Sequence, residues 1–90
     1  MSFLIKFDKA SELVKAGKFK KANKLCGSLI KLQPDNAQLL YLQGAVFHGL
    51  GKHKDACIWF KRSLEIEESN PEALNFLSDS YRLLAKFEDA

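Results

Sequence analysis

The side chains that could catalyse a reaction or hold a metal are few, and their spacing suits neither role. His48 and His53 are five residues apart, whereas ligands on one face of a helix recur after about three or four residues. Cys26 and Cys57 match no zinc or redox motif, and each falls within an apolar helical pattern. We therefore predict packing or turn positions for the histidines and buried, reduced cysteines. No catalytic residue, metal site or cofactor is predicted.

The glycines and lysines do not form a site for phosphate or nucleic acid. The stretch 44–51 contains three glycines, but no strand precedes it and no Gly-Lys-Ser/Thr follows. Residues 1–36 carry eight Lys against three acids, a net charge of +5, and residues 71–90 carry −2. A polyanion could exploit the basic end, but that end has no Arg, and Phe19 is the aromatic that interleaves with its lysines. A solubilising face is therefore favoured over nucleic-acid binding.

The strongest pattern in the chain is a repeat with a period of about 34 residues. The hexapeptides 17–22, 51–56 and 85–90 line up, each with Lys in its second place and Ala in its last. Other columns keep the same spacing, with small residues in one and large apolar residues in another. These residues are Ala10, Gly44 and Ser78, and Leu13, Phe47 and Tyr81. Several columns in register indicate a repeat architecture rather than a chance match.

Each period contains two helical patterns. Apolar spacing predicts a helix over 37–50, and a second follows with Ala56 and Phe60 on one face. The counterpart of this second helix in the first copy is predicted over about 18–32. A further helix begins near residue 71, with either Asn70 as its N-cap or Ser69 in a capping box. The small columns let two antiparallel helices approach closely, and such pairs must stack to bury their apolar faces.

A helix-turn-helix unit of this length with these columns resembles the tetratricopeptide repeat. The resemblance implies an all-α, right-handed superhelical solenoid of antiparallel helix pairs, with about five helices. It divides the chain into repeats 3–36, 37–70 and an incomplete 71–90, so that we expect a segment of a longer array. The third copy is predicted to contain its first helix, a turn and the opening of the second. The first copy departs from the family pattern, since Cys26 replaces an aromatic and Leu29 replaces a small residue.

The resemblance also implies a concave groove lined by the first helix of each repeat. The groove-facing residues that it nominates are Phe7, Ser11, Tyr41, Leu42, Ala45, His48, Asn75, Phe76, Asp79 and Arg82. The incomplete third copy leaves an end face exposed, formed by Leu74, Leu77, Tyr81 and Leu84. Some family members bind a carboxylate through a cationic clamp; the matching positions here, which include Glu72, carry no cation, so no such clamp is predicted. The apolar groove residues could instead pack against neighbouring helices, and both interpretations stay open.

These features predict a non-enzymatic scaffold that binds a peptide or helix of a partner protein. Two alternatives remain: a repeat segment of a larger enzyme whose catalytic domain lies elsewhere, or a module that forms a homo-oligomer through its uncapped C-terminal end. No apolar stretch approaches the roughly 20 residues that span a bilayer. The N-terminus lacks the pattern of a signal peptide. We therefore expect an intracellular, cytoplasmic protein, and a nuclear location is also compatible.

Overall fold

The structure is a computed structural model that describes residues 3–88. Those residues form five α-helices and no strand. The helices are α1 (Phe3–Lys15), α2 (Phe19–Leu32), α3 (Ala37–Gly49), α4 (His53–Ile66) and α5 (Pro71–Glu88). Each helix packs against the next in the chain, and α3 also contacts both α1 and α5. The predicted all-α architecture of about five helices is confirmed.

Asparagine side chains begin the first helices of the second and third repeats. The Asn36 carboxamide oxygen accepts a hydrogen bond from the Leu39 backbone N–H at 3.1 Å. The corresponding oxygen of Asn70 accepts from the backbone N–H groups of Glu72 and Ala73 at 3.0 and 3.2 Å. Each cap satisfies donors that a helix cannot satisfy internally. Of the two starts predicted for the last helix, the Asn70 cap is the one that forms.

The turns inside the first two helix pairs are built in the same way. Gly17 and Gly51, which lie one repeat period apart, have φ angles of 77° and 80°. The next residue in each turn donates its backbone N–H five residues back, from Lys18 to Leu13 at 2.8 Å and from Lys52 to Phe47 at 2.9 Å. This is the Schellman arrangement, in which a glycine with positive φ ends a helix without steric cost.

The third copy does not make this turn, and the prediction that it would was wrong. Helix α5 runs without a break from Pro71 to Glu88, through the position that matches Gly17 and Gly51. Ala85 occupies that position, and its Cβ disfavours the positive φ that the turn requires. Alanine also has the highest helix propensity, so the helix continues. The last part of the predicted second helix, residues 89–90, lies outside the described residues.

The core follows the columns of small residues. Ala10, Ala22 and Ala56 are fully buried, and Gly44 is buried at the contact between α3 and α4. A Cβ added at Gly44 would lie 2.6 Å from two ring carbons of Phe60, so only glycine allows this approach. The small residue of the third copy, Ser78, is exposed. The two helix pairs therefore close on their small residues, as the columns predicted.

Both cysteines are free and buried, as predicted. Cys26 is fully buried in α2, and burial raises the pKa of its thiol to about 11. Burial also raises the pKa of Cys57, an effect that the nearby Lys61 partly opposes. Thiols with raised pKa values are weak nucleophiles at neutral pH, because the thiolate is the reactive form. Packing is the role that this geometry supports for both side chains.

Candidate interaction groove

Helix α3, the first helix of the second repeat, contacts α1 and α5, the first helices of the repeats on either side of it. The predicted groove residues lie on these three helices at different depths. Leu42 is buried, and Asn75 and Arg82 are exposed. The half-buried members are Phe7, Ser11, Tyr41, Ala45, His48, Phe76 and Asp79. The set thus combines partly accessible aromatic rings with polar side chains at the surface.

A first cavity, of about 250 Å³, lies between α1, α3 and the start of α5. Its lining residues are Phe7, Ser11, Gln38, Tyr41, Leu42, Asn70 and Glu72. Four of these were predicted, whereas Gln38, Asn70 and Glu72 were not assigned to the groove. The repeat held a signal for two of them, since Gln38 and Glu72 lie one period apart and so occupy one column. Asn70 was predicted only as a helix cap, and in the structure it both caps α5 and lines the cavity.

A second cavity, of about 320 Å³, lies along α5. Its lining residues are Glu72, Asn75, Phe76, Ser78, Asp79 and Arg82. Glu72 lines both cavities, so they adjoin at this side chain. Ala45 and His48, although predicted to face the groove, line neither of these two cavities. The other eight nominated residues are divided between these two adjoining depressions.

An aromatic cluster supports the wall between the cavities. The ring centroids of Tyr41 and Phe76 are 6.0 Å apart, and each ring also contacts Phe60, at 5.9 and 5.5 Å respectively. Phe60 is fully buried in α4. Tyr41 and Phe76 therefore pack on the core through one part of each ring and line a cavity with another. Packing against neighbouring helices and lining a groove, the two interpretations left open above, are therefore both compatible with these side chains.

The phenol of Tyr41 on α3 and the carboxylate of Glu72 on α5 both line the first cavity. Burial, the charge of Glu72 and a hydrogen bond between the two side chains raise the pKa of Tyr41. The phenol therefore remains protonated at neutral pH and can donate to the carboxylate. In the second cavity, which Glu72 also lines, the Arg82 guanidinium pairs with the Asp79 carboxylate. Among the described residues, Glu72 is the one charged side chain that lines the first cavity.

The two histidines lie together, although their sequence spacing gave no sign of it. The ring centroids of His48 and His53 are 5.2 Å apart in an edge-to-face arrangement, and His48 lies 5.3 Å from Phe76. Burial and the nearby His53 lower the pKa of His48, while Asp79 partly opposes that change. The turn at Gly51 reverses the chain and brings the rings together. Within residues 3–88, no group of three or more His, Cys, Asp or Glu side chains could hold a metal.

The residues of the predicted end face differ in exposure. Leu74 and Tyr81 are 48% and 45% exposed, while Leu77 and Leu84 are half-buried. The Nζ atom of Lys61 lies 5.2 Å above the ring centroid of Tyr81 and covers part of it. A separate depression of about 590 Å³ lies between the Gly51 turn and the last turns of α5.

None of the five described helices is both long and apolar enough to cross a bilayer.

Comparisons with known proteins place the fold. No protein-family model and no curated protein matches the chain. Among solved structures, MamA MSR-1 C2, a protein that contains tetratricopeptide repeats, is similar to it with a TM-score of 0.83 and 19% sequence identity. The match covers 99% of this chain and 51% of that one, so the chain spans about half the length of its structural neighbour. The fold is therefore an all-α, tetratricopeptide-like stack of helix pairs.

Proposed function

We propose that this chain is a protein-interaction scaffold that binds an extended or helical segment of a partner in the groove of α1, α3 and α5. The observation that carries the proposal is the placement of Tyr41 and Phe76, each half-buried on the core and lining a cavity. Apolar and aromatic walls with a few polar groups are typical of binding sites for protein segments.

Packing behind the groove supports a preformed surface. On α3, Leu39 and Val46 are fully buried and Leu42 nearly so, within a core shared by α1, α2 and α3. A hydrogen bond of 2.7 Å from the Gln43 amide to the Asn23 side chain further ties α3 to α2. A surface held in this way loses little conformational entropy on binding, which favours affinity.

A peptide selection followed by NMR mapping tests this proposal. Peptides recovered from a random library against the full chain are titrated into isotope-labelled protein. We expect the largest shifts at backbone amides near Tyr41 and Phe76 and small shifts on α2 and α4. Shifts confined to α2 and α4 would contradict the groove.

A pair of matched variants sharpens the test. Asn75→Trp places a bulky ring in the second cavity from an exposed position, whereas Ile58→Trp places the same ring on α4, where the native side chain is 55% exposed. We expect the first to weaken peptide binding by about tenfold or more and the second to leave it unchanged. Equal effects, with both variants folded by circular dichroism, would count against the proposed surface.

Self-association is a second candidate function. The observation that favours it is the exposed apolar surface of α5, where Leu74 and Tyr81 are 48% and 45% accessible. A contact between this face and the basic first repeat of another copy would be heterologous and could extend into open assemblies. Sedimentation at low and high salt checks this candidate, and a monomer at both salt levels would exclude it.

A further inference from the structure

We infer that the first cavity binds a cationic side chain, Lys or Arg, of the partner segment, with Glu72 as its counter-ion. The inference rests on the proposed function and names the chemistry that the groove selects. This charge preference is the reverse of that of a carboxylate clamp, whose matching positions carry no cation here.

The lining of the first cavity is suited to a long cationic side chain. Phe7, Tyr41 and Leu42 offer apolar and aromatic surface for the methylene stem, and an aromatic face attracts a cation. Gln38 and Asn70 offer amide oxygens that can accept hydrogen bonds from the head group. Glu72 supplies the negative charge, and no lysine or arginine of the described chain lines the cavity to compete for it.

The backbone that carries Glu72 is held in place, although its side chain is exposed. The Glu72 backbone N–H donates to the Asn70 side chain at 3.0 Å, which fixes the first turn of α5. The carboxylate lies near enough to the Tyr41 phenol for its charge to raise the pKa of that phenol. Both carboxylate oxygens can accept hydrogen bonds from a cationic head group. Because only the side chain remains to be ordered, pairing with a cation costs less entropy than pairing two side chains on mobile backbones would.

The second cavity has a different preference. Arg82 and Asp79 pair with each other there, so their charges largely cancel. What remains is the face of Phe76 beside Asn75, a surface for an apolar residue with a nearby hydrogen-bonding amide. Since both cavities share Glu72, we expect the preferred segment to carry a cation with an apolar residue close to it in sequence. The lysines Lys9, Lys21 and Lys24 line another depression, with Leu13 and Leu25 of α1 and α2.

Four synthetic peptides test the inference directly. They share one sequence with leucines flanking a central residue, have blocked termini, and differ only in that residue: Lys, Arg, norleucine or Glu. Each is titrated into the isotope-labelled full chain. The Lys and Arg peptides are expected to bind about fivefold more tightly than the norleucine peptide, and the Glu peptide more weakly still. Their shifts should centre on the amides of Tyr41 and Glu72.

A matched pair of variants identifies the counter-ion. Glu72→Gln keeps the size of the side chain and one acceptor oxygen but removes its charge. We expect it to reduce the preference for Lys over norleucine to less than about twofold. Glu65→Gln, the same change at an exposed position of α4, should preserve the wild-type preference. Added salt should lower the preference in the wild type but not in Glu72→Gln.

The outcomes separate this inference from the proposed function. If Lys and norleucine peptides bind equally well in the groove of the wild type, the cation site is wrong and the groove stands. A preference for Lys that survives in Glu72→Gln would overturn the role of Glu72. Shifts on α2 and α4 with every peptide would overturn both the site and the groove. An absence of any shift at millimolar peptide would overturn the cation site.

Discussion

The first helix pair, α1 with α2, and the second, α3 with α4, distribute the same core volume differently. In the first pair, Cys26 and Leu29 occupy the positions that Phe60 and Ser63 occupy in the second, and all four are buried. The first pair therefore has a small residue followed three positions later by a large one, and the second pair has the reverse order. Because close packing constrains total volume more than single positions, we expect the two departures of the first repeat from the tetratricopeptide-like pattern to compensate each other.

The difference has a consequence for the groove. Phe60 extends from α4 past Gly44 and supports the rings of Tyr41 and Phe76 from behind. Cys26, in the equivalent place in α2, is too small to support a comparable cluster. Ser63 also donates a buried hydrogen bond of 2.7 Å to the Ala37 carbonyl, which leucine could not make. The second pair therefore supports the aromatic cluster, and the first pair contributes Phe7 to the lining of the first cavity.

We expect the greatest loss of stability when core residues of the second pair are replaced by their counterparts from the first. Phe60→Cys should lower the free energy of unfolding by about 3 kcal/mol, because it leaves a cavity beneath Tyr41 and Phe76. Ser63→Leu should cost about 2 kcal/mol through overpacking and a lost hydrogen bond. If volume is shared between these sites, the double variant should be more stable than the sum of the two losses predicts, by at least about 1 kcal/mol. Urea denaturation measures all three, and strict additivity would contradict compensation.

Gly44→Ala tests the close approach within the second pair. The added methyl group would lie 2.6 Å from the Phe60 ring, so we expect a loss of about 2 kcal/mol in the free energy of unfolding. Gly27→Ala is the matched control, since nothing in the described chain lies within 4 Å of its added Cβ in the interior of α2. It should stabilise the protein by about 0.5–1 kcal/mol. A loss at Gly27 as large as that at Gly44 would remove the steric explanation.

Replacing the turn glycines should reduce stability by a smaller amount. Gly51→Ala should cost about 1 kcal/mol, because alanine is strained at a φ of 80°, although its Cβ meets no described atom within 4 Å. Gly17→Ala should behave alike in the first pair. Ala85→Gly should instead weaken α5 locally, which hydrogen exchange of its last turns would report. If Gly51→Ala left the melting temperature unchanged, the shared turn geometry of the two pairs would be in doubt.

The pH dependence gives the smallest effect. Burial and His53 lower the pKa of His48 in the folded chain, so below the ordinary value of 6.5 the unfolded chain binds the proton first. Stability should therefore fall as pH decreases through this region and be unaffected by His48 well above it. His48→Gln should flatten that part of the curve, measured by urea denaturation across the range. An identical slope in wild type and variant would show that His48 contributes nothing.

The repeat in the sequence predicted the helices well, because its columns encode contacts that recur. The capping residues Asn36 and Asn70 share one column, and the turn glycines Gly17 and Gly51 share another. The unbroken α5 was not predicted, because Lys86 matches the lysines that follow the turn glycines in the other copies. The turn itself requires a residue that tolerates positive φ at position 85, and alanine does not meet that requirement. Matching a column is therefore weaker evidence than matching the conformation that the column serves.

The candidate site was only partly predictable. The columns nominated Tyr41 and Phe76, but the two cavities depend on how far α1 and α5 lie from α3 and on side-chain rotamers, which no spacing reports. Tyr41 and Glu72, which line the first cavity together, belong to different columns on different helices. His48 and His53 meet only because a turn reverses the chain between them. Such contacts arise from tertiary packing, so they became visible only in the structure.

Photo-crosslinking from single sites shows whether partners bind between α1, α3 and α5. A benzophenone amino acid in place of Asn75 would lie in the groove, and one in place of Ile58 would lie on the exposed surface of α4. With a peptide recovered by selection, we expect crosslinking from the Asn75 position and almost none from the Ile58 position. Crosslinking mainly from the Ile58 position would contradict this expectation.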